Sequence, residues 1–286
     1  MNNKTKQRGS GASIKLVIFL YNILGYKFIY YLMYPVSFFY FLFASNVKES
    51  LKIYYSKQNK TMSNIQYFEH LRIFAICMVD RFISKFDPDS YTFEYTGIKK
   101  QKEVLTQGTI ILYSHFGGWA ASANSPLVNS KINIVMQESL IDGIKDIEKN
   151  IELKSNTHII DINNGALSVA IEVANALMDK EIVVMMADRS ANKKGELSSK
   201  FFNDDAKFNK NPFQIAYKMN KPIMVYFIVY KDIKKYEVVH IHIKMDKNLN
   251  ENDAIMKALN EYILKYEKVI TKYPNQWFNF YNFWEK

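Results

Sequence analysis

Short apolar runs alternate with amphipathic segments along most of the chain after residue 90. The apolar runs predict strands over 91–95, 109–113, 132–136, 158–162, 182–186, 222–230 and 237–243. The segments between them predict helices over 119–128, 166–178, 212–219 and 253–272. Strands joined through helices can lie parallel to each other, and runs that are apolar throughout are buried on both faces. The alternation therefore predicts an α/β fold, with a mostly parallel sheet flanked by helices.

The N-terminal part of the chain has a different pattern. Residues 1–12 carry three basic side chains among Gly, Ser and Asn, which predicts a flexible basic tail. Between residues 16 and 45 only Lys27 is charged, so this run exceeds the roughly 20 apolar residues that span a bilayer. It is also longer than the apolar region of a signal peptide, and no small-residue cleavage site closes it.

Two features of this run argue against a plain transmembrane helix. Pro35 predicts a break into two shorter helices, because proline lacks the backbone donor that a helix interior uses. The tyrosines have the density typical of a membrane–water interface; they are Tyr21, Tyr26, Tyr30, Tyr31, Tyr34 and Tyr40. We therefore expect residues 13–60 to form a membrane-associated helical hairpin that lies in or dips into one leaflet. A helical hairpin buried in a soluble core is the alternative.

Residues 61–286 are expected to form one domain built around the predicted sheet. The domain begins with a third amphipathic helix over 64–86, in which Asp80 and Arg81 are most simply a surface pair. Cys77, the only cysteine, falls among apolar residues of this helix and is expected in the core. The acidic residues of Asp87-Pro88-Asp89 then fit a turn better than a metal site.

The composition limits the kinds of partner. The formal net charge of +10 favours acidic partners such as anionic lipids or an acidic carrier protein. Zinc-finger spacings, aromatic RNA-binding signatures and basic runs with interleaved aromatics are absent from the sequence, so nucleic acid is not an expected partner. The sequence also lacks a Gly-x-Ser-x-Gly elbow, a Walker loop and a Rossmann fingerprint, which removes the main support for hydrolase, nucleotide and dinucleotide sites.

Polar side chains follow three of the predicted strands, where an apolar run does not require them. His115 follows one strand, Glu138 the next, and Asp188 with Arg189 a third. Ligands of open α/β sheets bind at this edge, outside the carboxyl ends of the strands. An imidazole there can take a proton from a substrate hydroxyl near neutral pH. Arg189 can hold a phosphate or carboxylate in bidentate fashion, and an ion pair with Asp188 is the alternative role.

A long polar stretch, 190–211, separates two predicted elements. Connections of this length in compact domains are usually lids or binding loops, so we expect a lid beside the site. Its lysines would give the lid a basic rim; they are Lys193, Lys194, Lys200, Lys207 and Lys210.

Three motifs in this order resemble the lysophospholipid acyltransferase superfamily. They are His115-Phe116-Gly117-Gly118-Trp119, then Met185-Met186-Ala187-Asp188-Arg189, then Phe201-Phe202-Asn203 followed by Asn211-Pro212-Phe213. Within the superfamily the chain is most similar to the lauroyl/myristoyl type of lipid A acyltransferase, in which the first motif is usually His-Phe-Gly-Asn-Trp-Glu. The aromatic terminus 275–284 resembles that of a branch often described as predicted acyltransferases, so the resemblance covers nearly the whole chain.

The resemblance implies transfer of a fatty acyl chain from a thioester, on acyl carrier protein or coenzyme A, to a hydroxyl. The implied acceptor is a lipid A-like glycolipid or a lysophospholipid at the cytoplasmic face of the inner membrane, and neither a cofactor nor a metal is implied. The implied substrate contacts are Ser114, Phe116, Gly117, Gly118, Trp119, Arg189, Phe202 and Pro212. Backbone N–H groups near Gly117 and Gly118, or Arg189, are expected to stabilise the oxyanion.

The chain departs from this family at one catalytic position. The resemblance implies His115 as general base, with an acidic residue five positions later that orients the imidazole, but Ala120 stands there. Without a substitute, the loss of that carboxylate would cost several kcal/mol of transition-state stabilisation. We therefore expect a carboxylate oxygen of Glu138 or Asp188 within hydrogen-bond reach of a His115 ring nitrogen. A non-catalytic lipid-binding relative that kept the pocket is the alternative.

Overall fold

A seven-stranded sheet forms the centre of the protein, whose computed structural model describes residues 11–122, 127–137, 156–190 and 193–284. Its strands are β1 (Thr92–Tyr95), β2 (Ile110–Tyr113), β3 (Ile132–Met136), β4 (Thr157–Asp161), β5 (Ile182–Met186), β8 (Ile223–Asp232) and β9 (Lys235–Ile243). They lie in the order β1-β9-β8-β2-β5-β3-β4. All neighbours are parallel except β8 and β9, which a two-residue turn joins as an antiparallel pair. The predicted α/β fold with a mostly parallel sheet is confirmed.

Helices cover both faces of this sheet. They are α1 (Gly11–Phe43), α2 (Ser45–Lys57), α3 (Asn64–Phe86), α4 (Ile98–Leu105), α5 (Trp119–Ser122), α6 (Ala166–Met178), α7 (Asn211–Met219) and α8 (Glu251–Lys272). Alternate residues of β2 point to opposite faces and belong to two separate cores. One core receives α2, α6, α7 and α8, and the other receives α1, α4 and most of α3.

The apolar N-terminal run breaks at a different place from the predicted one. The helix α1 continues through Pro35 and is interrupted at Gly25, which has φ 74° and ψ 176°. Glycine adopts this backbone region without a Cβ clash, so the break falls there, whereas Pro35 removes only one backbone donor. A second break follows at Ala44. The arrangement of the two helices also differs from the predicted hairpin. The helix α1 packs along α3, while the buried face of α2 joins the core beside the sheet.

Tyrosine hydroxyls attach α1 to the rest of the protein. Tyr26 donates to the Asp80 carboxylate over 2.6 Å, and Tyr91 and Tyr236 donate to the same carboxylate. Near the start of α1, Tyr21 donates to Asp87 over 2.5 Å. Asp80 is fully buried on the inner side of α3, so the prediction of a surface pair with Arg81 was wrong.

The stretch predicted as a lid forms a hairpin instead. Strands β6 (Glu196–Phe201) and β7 (Asp204–Asn209) pair antiparallel, with Phe202 and Asn203 in the turn at positive φ. Leu197, Phe201 and Phe208 alternate with polar residues and face the core, so burial of one face stabilises the hairpin. The hairpin is joined to the main sheet at its base, where the N–H of Asn209 donates to the carbonyl of Ala187.

Candidate active site

The parallel pairing of β2 with β5 brings His115 and Asp188 together. Tyr113 and Met186 are register partners at the carboxyl ends of these strands, and each functional residue follows two positions later. Nδ1 of His115 lies 3.0 Å from both carboxylate oxygens of Asp188. The backbone N–H of His115 also donates to Oδ2 of Asp188 over 2.9 Å. Two donors from one residue therefore hold the carboxylate, and the carboxylate in turn fixes the imidazole ring.

Asp188 is buried, whereas His115 is open on one side. The Asp188 side chain is 1% exposed and the His115 side chain 29% exposed. Burial raises the pKa of Asp188, but the charge and hydrogen bonds of His115 and the charge of Arg189 outweigh it, so the pKa lies below its usual value. Asp188 is thus an anion at neutral pH and accepts the proton on Nδ1. In the neutral ring with its proton on Nδ1, Nε2 carries the lone pair, as a general base requires.

The expected contact between His115 and a substitute carboxylate is present. Asp188 supplies it, and Glu138, the other candidate, lies outside the described residues. Ala120 lies in α5, directly after Trp119. The carboxylate beside the imidazole therefore comes from a neighbouring strand and not from the position five residues after the histidine.

Gly117 and Gly118 have a structural role in place of the expected oxyanion role. The N–H of Gly117 donates to the carbonyl of Gln276 and the N–H of Gly118 to that of Ile228, each over 2.9 Å. A Cβ on Gly117 would lie 1.8 Å from the Ile228 oxygen, and one on Gly118 would lie 2.2 Å from the Tyr236 ring. These two N–H groups are already used within the fold, so they are not free to stabilise an oxyanion. The glycines let the loop approach β8 and β9 closely.

Arg189 points towards the C-terminal segment. Its Nη2 donates to Oδ1 of Asn279 over 2.8 Å, and its guanidinium carbon lies 4.7 Å from the centre of the Tyr281 ring. Both carboxylate oxygens of Asp188 face His115, so the alternative of a bracing Asp188–Arg189 ion pair is not the arrangement found. Among the residues that the structure describes, the Nε–H of Arg189 has no hydrogen-bond partner.

The other predicted contact residues divide into buried and accessible ones. Ser114 is buried, with its hydroxyl 2.7 Å from that of Tyr262, and Phe116 lies in the core. Pro212 is buried in the first turn of α7. Phe202 lies in the β6–β7 turn, with its N–H donating to Glu267. Burial of Ser114, Phe116 and Pro212 gives these three side chains a role in packing. The side chain of Phe202 is half-buried, and its contact with substrate stays a prediction.

Trp119 lies beside the imidazole ring of His115. Its side chain is half-buried, and its ring packs edge-on against that of His115 with 6.4 Å between the centroids. It also packs against Tyr113 at the end of β2. Trp119 therefore forms one wall next to the imidazole.

The C-terminal segment contributes residues that the sequence did not predict. The N–H of Phe278 donates to the carbonyl of His115 over 2.8 Å, and Gln276 and Asn279 are buried polar residues among aromatic ones. A polar residue at every third position of an otherwise aromatic terminus was the available signal, since buried polar groups need specific partners.

One comparison with known proteins identifies the family of the chain. The family described as bacterial lipid A biosynthesis acyltransferase matches residues 72–286, which is about three quarters of the chain and includes both His115 and Asp188. None of the curated proteins compared with the chain matches it. The chain therefore belongs to the bacterial lipid A biosynthesis acyltransferase family and is an acyltransferase.

Proposed function

We propose that this acyltransferase moves a fatty acyl chain from acyl carrier protein or acyl-CoA to a hydroxyl of a lipid A-like glycolipid, at the cytoplasmic face of the inner membrane. A lysophospholipid is the second acceptor class. The observation that carries the proposal is the contact of His115 Nδ1 with the buried Asp188 carboxylate, at 3.0 Å. It supplies the orienting acid whose absence at Ala120 favours a non-catalytic relative.

His115 acts as the general base in this proposal. Nε2 takes the proton of the acceptor hydroxyl as its oxygen attacks the thioester carbonyl carbon. The resulting imidazolium keeps its Nδ1–H bond to Asp188, whose negative charge stabilises it. When the tetrahedral intermediate collapses, the carbon–sulfur bond breaks and the imidazolium returns the proton to the thiolate. The products are an ester and a free thiol.

Arg189 and Trp119 are the proposed substrate contacts that stay accessible. With the N–H groups of Gly117 and Gly118 already used, Arg189 is the remaining expected group for stabilising the oxyanion. Trp119 provides an apolar wall next to the imidazole, which suits the acyl chain or the thioester.

The helix α1 is the proposed membrane attachment. Residues Ser13–Phe43 form the one helix of the described chain that is long and apolar enough to cross a membrane. Only 11% of the most apolar 18-residue stretch of this helix is buried. Ile29, Met33 and Ser37 form a narrow buried stripe at four-residue spacing. Much of the remaining surface is apolar and exposed, and its exposed aliphatic and phenylalanine side chains are Leu16, Phe19, Ile23, Leu24, Phe28, Phe38, Phe39, Leu42 and Phe43. Contact with lipid would remove this surface from water.

The test is acyl transfer by purified protein with membranes and either donor, followed by mass spectrometry of the lipids. We expect His115→Ala to lower the rate by at least a hundredfold without loss of folding, because general-base groups contribute about 10²–10⁴. His158→Ala is the matched control, since His158 is an exposed histidine paired with Glu172. A folded His115→Ala protein with wild-type activity would refute the mechanism.

A further inference from the structure

We propose that Gln276 and Asn279 are positioning residues for acyl transfer, a role that rests on the function proposed above. Residues 276–279 form what we call the C-terminal clamp. The clamp contacts both loops of the candidate site, the one that carries His115 and the one that carries Asp188 and Arg189. Neither side chain touches the reacting atoms in this proposal; each acts through a residue that does.

The backbone of the clamp pairs with the His115 loop. Phe116 and Trp277 form an antiparallel bridge. On one side of it the N–H of Phe278 donates to the carbonyl of His115, over 2.8 Å. On the other side the N–H of Gly117 donates to the carbonyl of Gln276, over 2.9 Å. The clamp therefore fixes the backbone around His115, while Asp188 fixes its imidazole ring.

The side chain of Gln276 fixes the clamp to the sheet. Its Oε1 accepts from the N–H of Tyr230 over 2.8 Å, and its Nε2 donates to the carbonyl of Tyr230 over 2.9 Å. Tyr230 belongs to β8, the neighbour of β2. Gln276 is 4% exposed, so water cannot replace these two bonds. A single side chain thus ties the clamp, and through it the His115 loop, to a central strand.

The side chain of Asn279 orients Arg189. Its Oδ1 accepts from Nη2 of Arg189, and its Nδ2 donates to the carbonyl of Tyr281 over 2.9 Å. The second bond holds the backbone of the residue whose ring lies against the guanidinium. Asn279 is 1% exposed. It therefore fixes the direction in which Arg189 presents its charge.

The anchoring of the clamp extends to α3 as well. Trp277 is fully buried, and its carbonyl accepts from Nε2 of His70 over 2.8 Å. The clamp is thus held independently by β8 and by α3. Removing the hydrogen bonds of Gln276 should loosen the loop of His115, and removing those of Asn279 should loosen the loop of Asp188 and Arg189. The other contacts of the clamp should stay in place.

Kinetics of paired variants test the two side chains. We expect Asn279→Leu and Gln276→Leu to lower kcat at least tenfold while KM changes less than threefold, because misplacement of reacting groups costs rate more than binding. Asn279→Asp keeps the acceptor for Arg189 and should retain at least a third of the wild-type kcat. Gln276→Glu keeps the acceptor for the Tyr230 N–H and should likewise be the milder of its pair.

The stability control lies at the other end of β2. Leu177 is fully buried, and its carbonyl faces Gly108, which precedes β2. Leu177→Ala should lower Tm at least as much as the clamp variants and leave kcat within threefold of wild type. If kcat instead follows Tm across all five variants, or if Asn279→Leu and Gln276→Leu both keep wild-type kcat, the positioning role is refuted.

Hydrogen exchange gives a readout that does not depend on turnover. In Gln276→Leu, the amides of residues 114–119 should exchange at least tenfold faster than in wild type, while those of Leu177→Ala in the same peptide stay unchanged. Equal exchange in all three proteins would overturn the proposal. Activity of His115→Ala would instead refute the proposed function, and the exchange result would still decide whether the clamp orders the loop.

Discussion

At the scale of single residues, the candidate site depends on which strand supplies the carboxylate. A residue five positions after His115 lies in the short helix α5, whereas Asp188 follows a central strand. Both oxygens of Asp188 are within 3.0 Å of Nδ1, and one also accepts from the His115 backbone. An acid held in this way by the sheet needs no partner at position 120.

Asp188→Asn should lower kcat by about 10²–10⁴ while the protein stays folded. An amide of the same shape still accepts from the imidazole, but it supplies no negative charge to stabilise the imidazolium. Asp179→Asn, an exposed residue after α6, serves as the control. Rates from the mass-spectrometric assay, with circular dichroism to check the fold, decide the point. Wild-type kcat in Asp188→Asn would contradict the role of the carboxylate.

Ala120→Glu restores the acidic residue that the resembling family carries. Because Asp188 already contacts Nδ1, the added carboxylate should change kcat less than threefold. The same assay measures this, alone and combined with Asp188→Asn. A large gain from Ala120→Glu together with a silent Asp188→Asn would show that Asp188 is not the working acid.

Gly117→Ala should destabilise the protein by about 3 kcal/mol or more, since the added Cβ meets a backbone oxygen that cannot move aside. Gly97 is the matched position, because it also has positive φ but no atom of the described residues lies within 4 Å of its added Cβ. Gly97→Ala should cost only about 1 kcal/mol, the price of the left-handed backbone. Urea unfolding measures both changes, and equal losses would argue against the close approach to β8.

At the scale of elements, α1 has polar contacts inside and apolar residues outside. Its tyrosine hydroxyls bind Asp80 and Asp87, while phenylalanine and isoleucine side chains face outward. A helix on the surface of a soluble domain shows the opposite distribution. Attachment of α1 to the domain and its proposed attachment to a membrane therefore use separate residues and can be tested separately.

Replacing Phe19, Ile23 and Phe28 together by serine should move the protein from the membrane pellet into the soluble fraction. These side chains are exposed and would each lose the transfer free energy of burial in lipid. Leu167, Ile171 and Met178 of α6 are equally exposed apolar residues, and their triple serine variant is the control. Fractionation by centrifugation measures both. If the α1 variant stays in the pellet, or the α6 variant leaves it, membrane attachment through α1 is wrong.

Long periodic elements were predictable from the sequence, and elements that depend on special backbone were not. The bounds of α3 and α6 match the predicted ones because each has a clear apolar period, and those of β3 and β5 match because each is a short apolar run. The β6–β7 hairpin was missed although its residues alternate, because Phe202 and Asn203 form a positive-φ turn without the Asn-Gly signal. The break of α1 at Gly25, and not at Pro35, likewise depends on a positive φ that the apolar period does not reveal.

The two strand-end residues of the candidate site were predictable in the same way. Strand ends placed His115 and Asp188 at one edge, and only the sheet order could choose between Asp188 and Glu138. The C-terminal clamp was not predictable, because its backbone contacts with the His115 loop join residues that are more than 150 positions apart in the chain. Asp80 was misassigned although it lies four positions after the buried Ile76 of the same helix face.

At the scale of the whole molecule, two buried ionisable groups give opposite responses to acid. Burial lowers the pKa of His70 from 6.5 to about 4. Burial raises the pKa of Asp80 from 3.8 to about 6, although three tyrosine hydroxyls and Lys234 oppose it. The stability due to neutral His70 is present above pH 6.5 and is lost as the pH falls towards 4. That due to protonated Asp80 is present below pH 3.8 and is lost as the pH rises through 6.

The two contributions should nearly cancel between pH 4 and pH 6.5. Each shift of about two pKa units corresponds to about 3 kcal/mol, and the signs are opposite. Relative to wild type, Asp80→Asn should therefore lose about 3 kcal/mol of unfolding free energy on acidification from pH 6.5 to pH 4, and His70→Phe should gain about as much. Urea unfolding in one detergent at several pH values measures the differences. Parallel pH curves for all three proteins would contradict this balance.

The C-terminal clamp also determines when during synthesis the site can be completed. Translation delivers α1 early, and Gln276 to Asn279 after every other residue of the candidate site. Until these residues emerge from the ribosome, the carbonyl of His115 and the N–H of Gly117 lack the partners they have in the finished protein. On our proposals, the nascent chain reaches the membrane before its reaction centre is assembled. A chain that stalls or is cut before residue 276 would then bind the membrane without catalysing acyl transfer to a lipid.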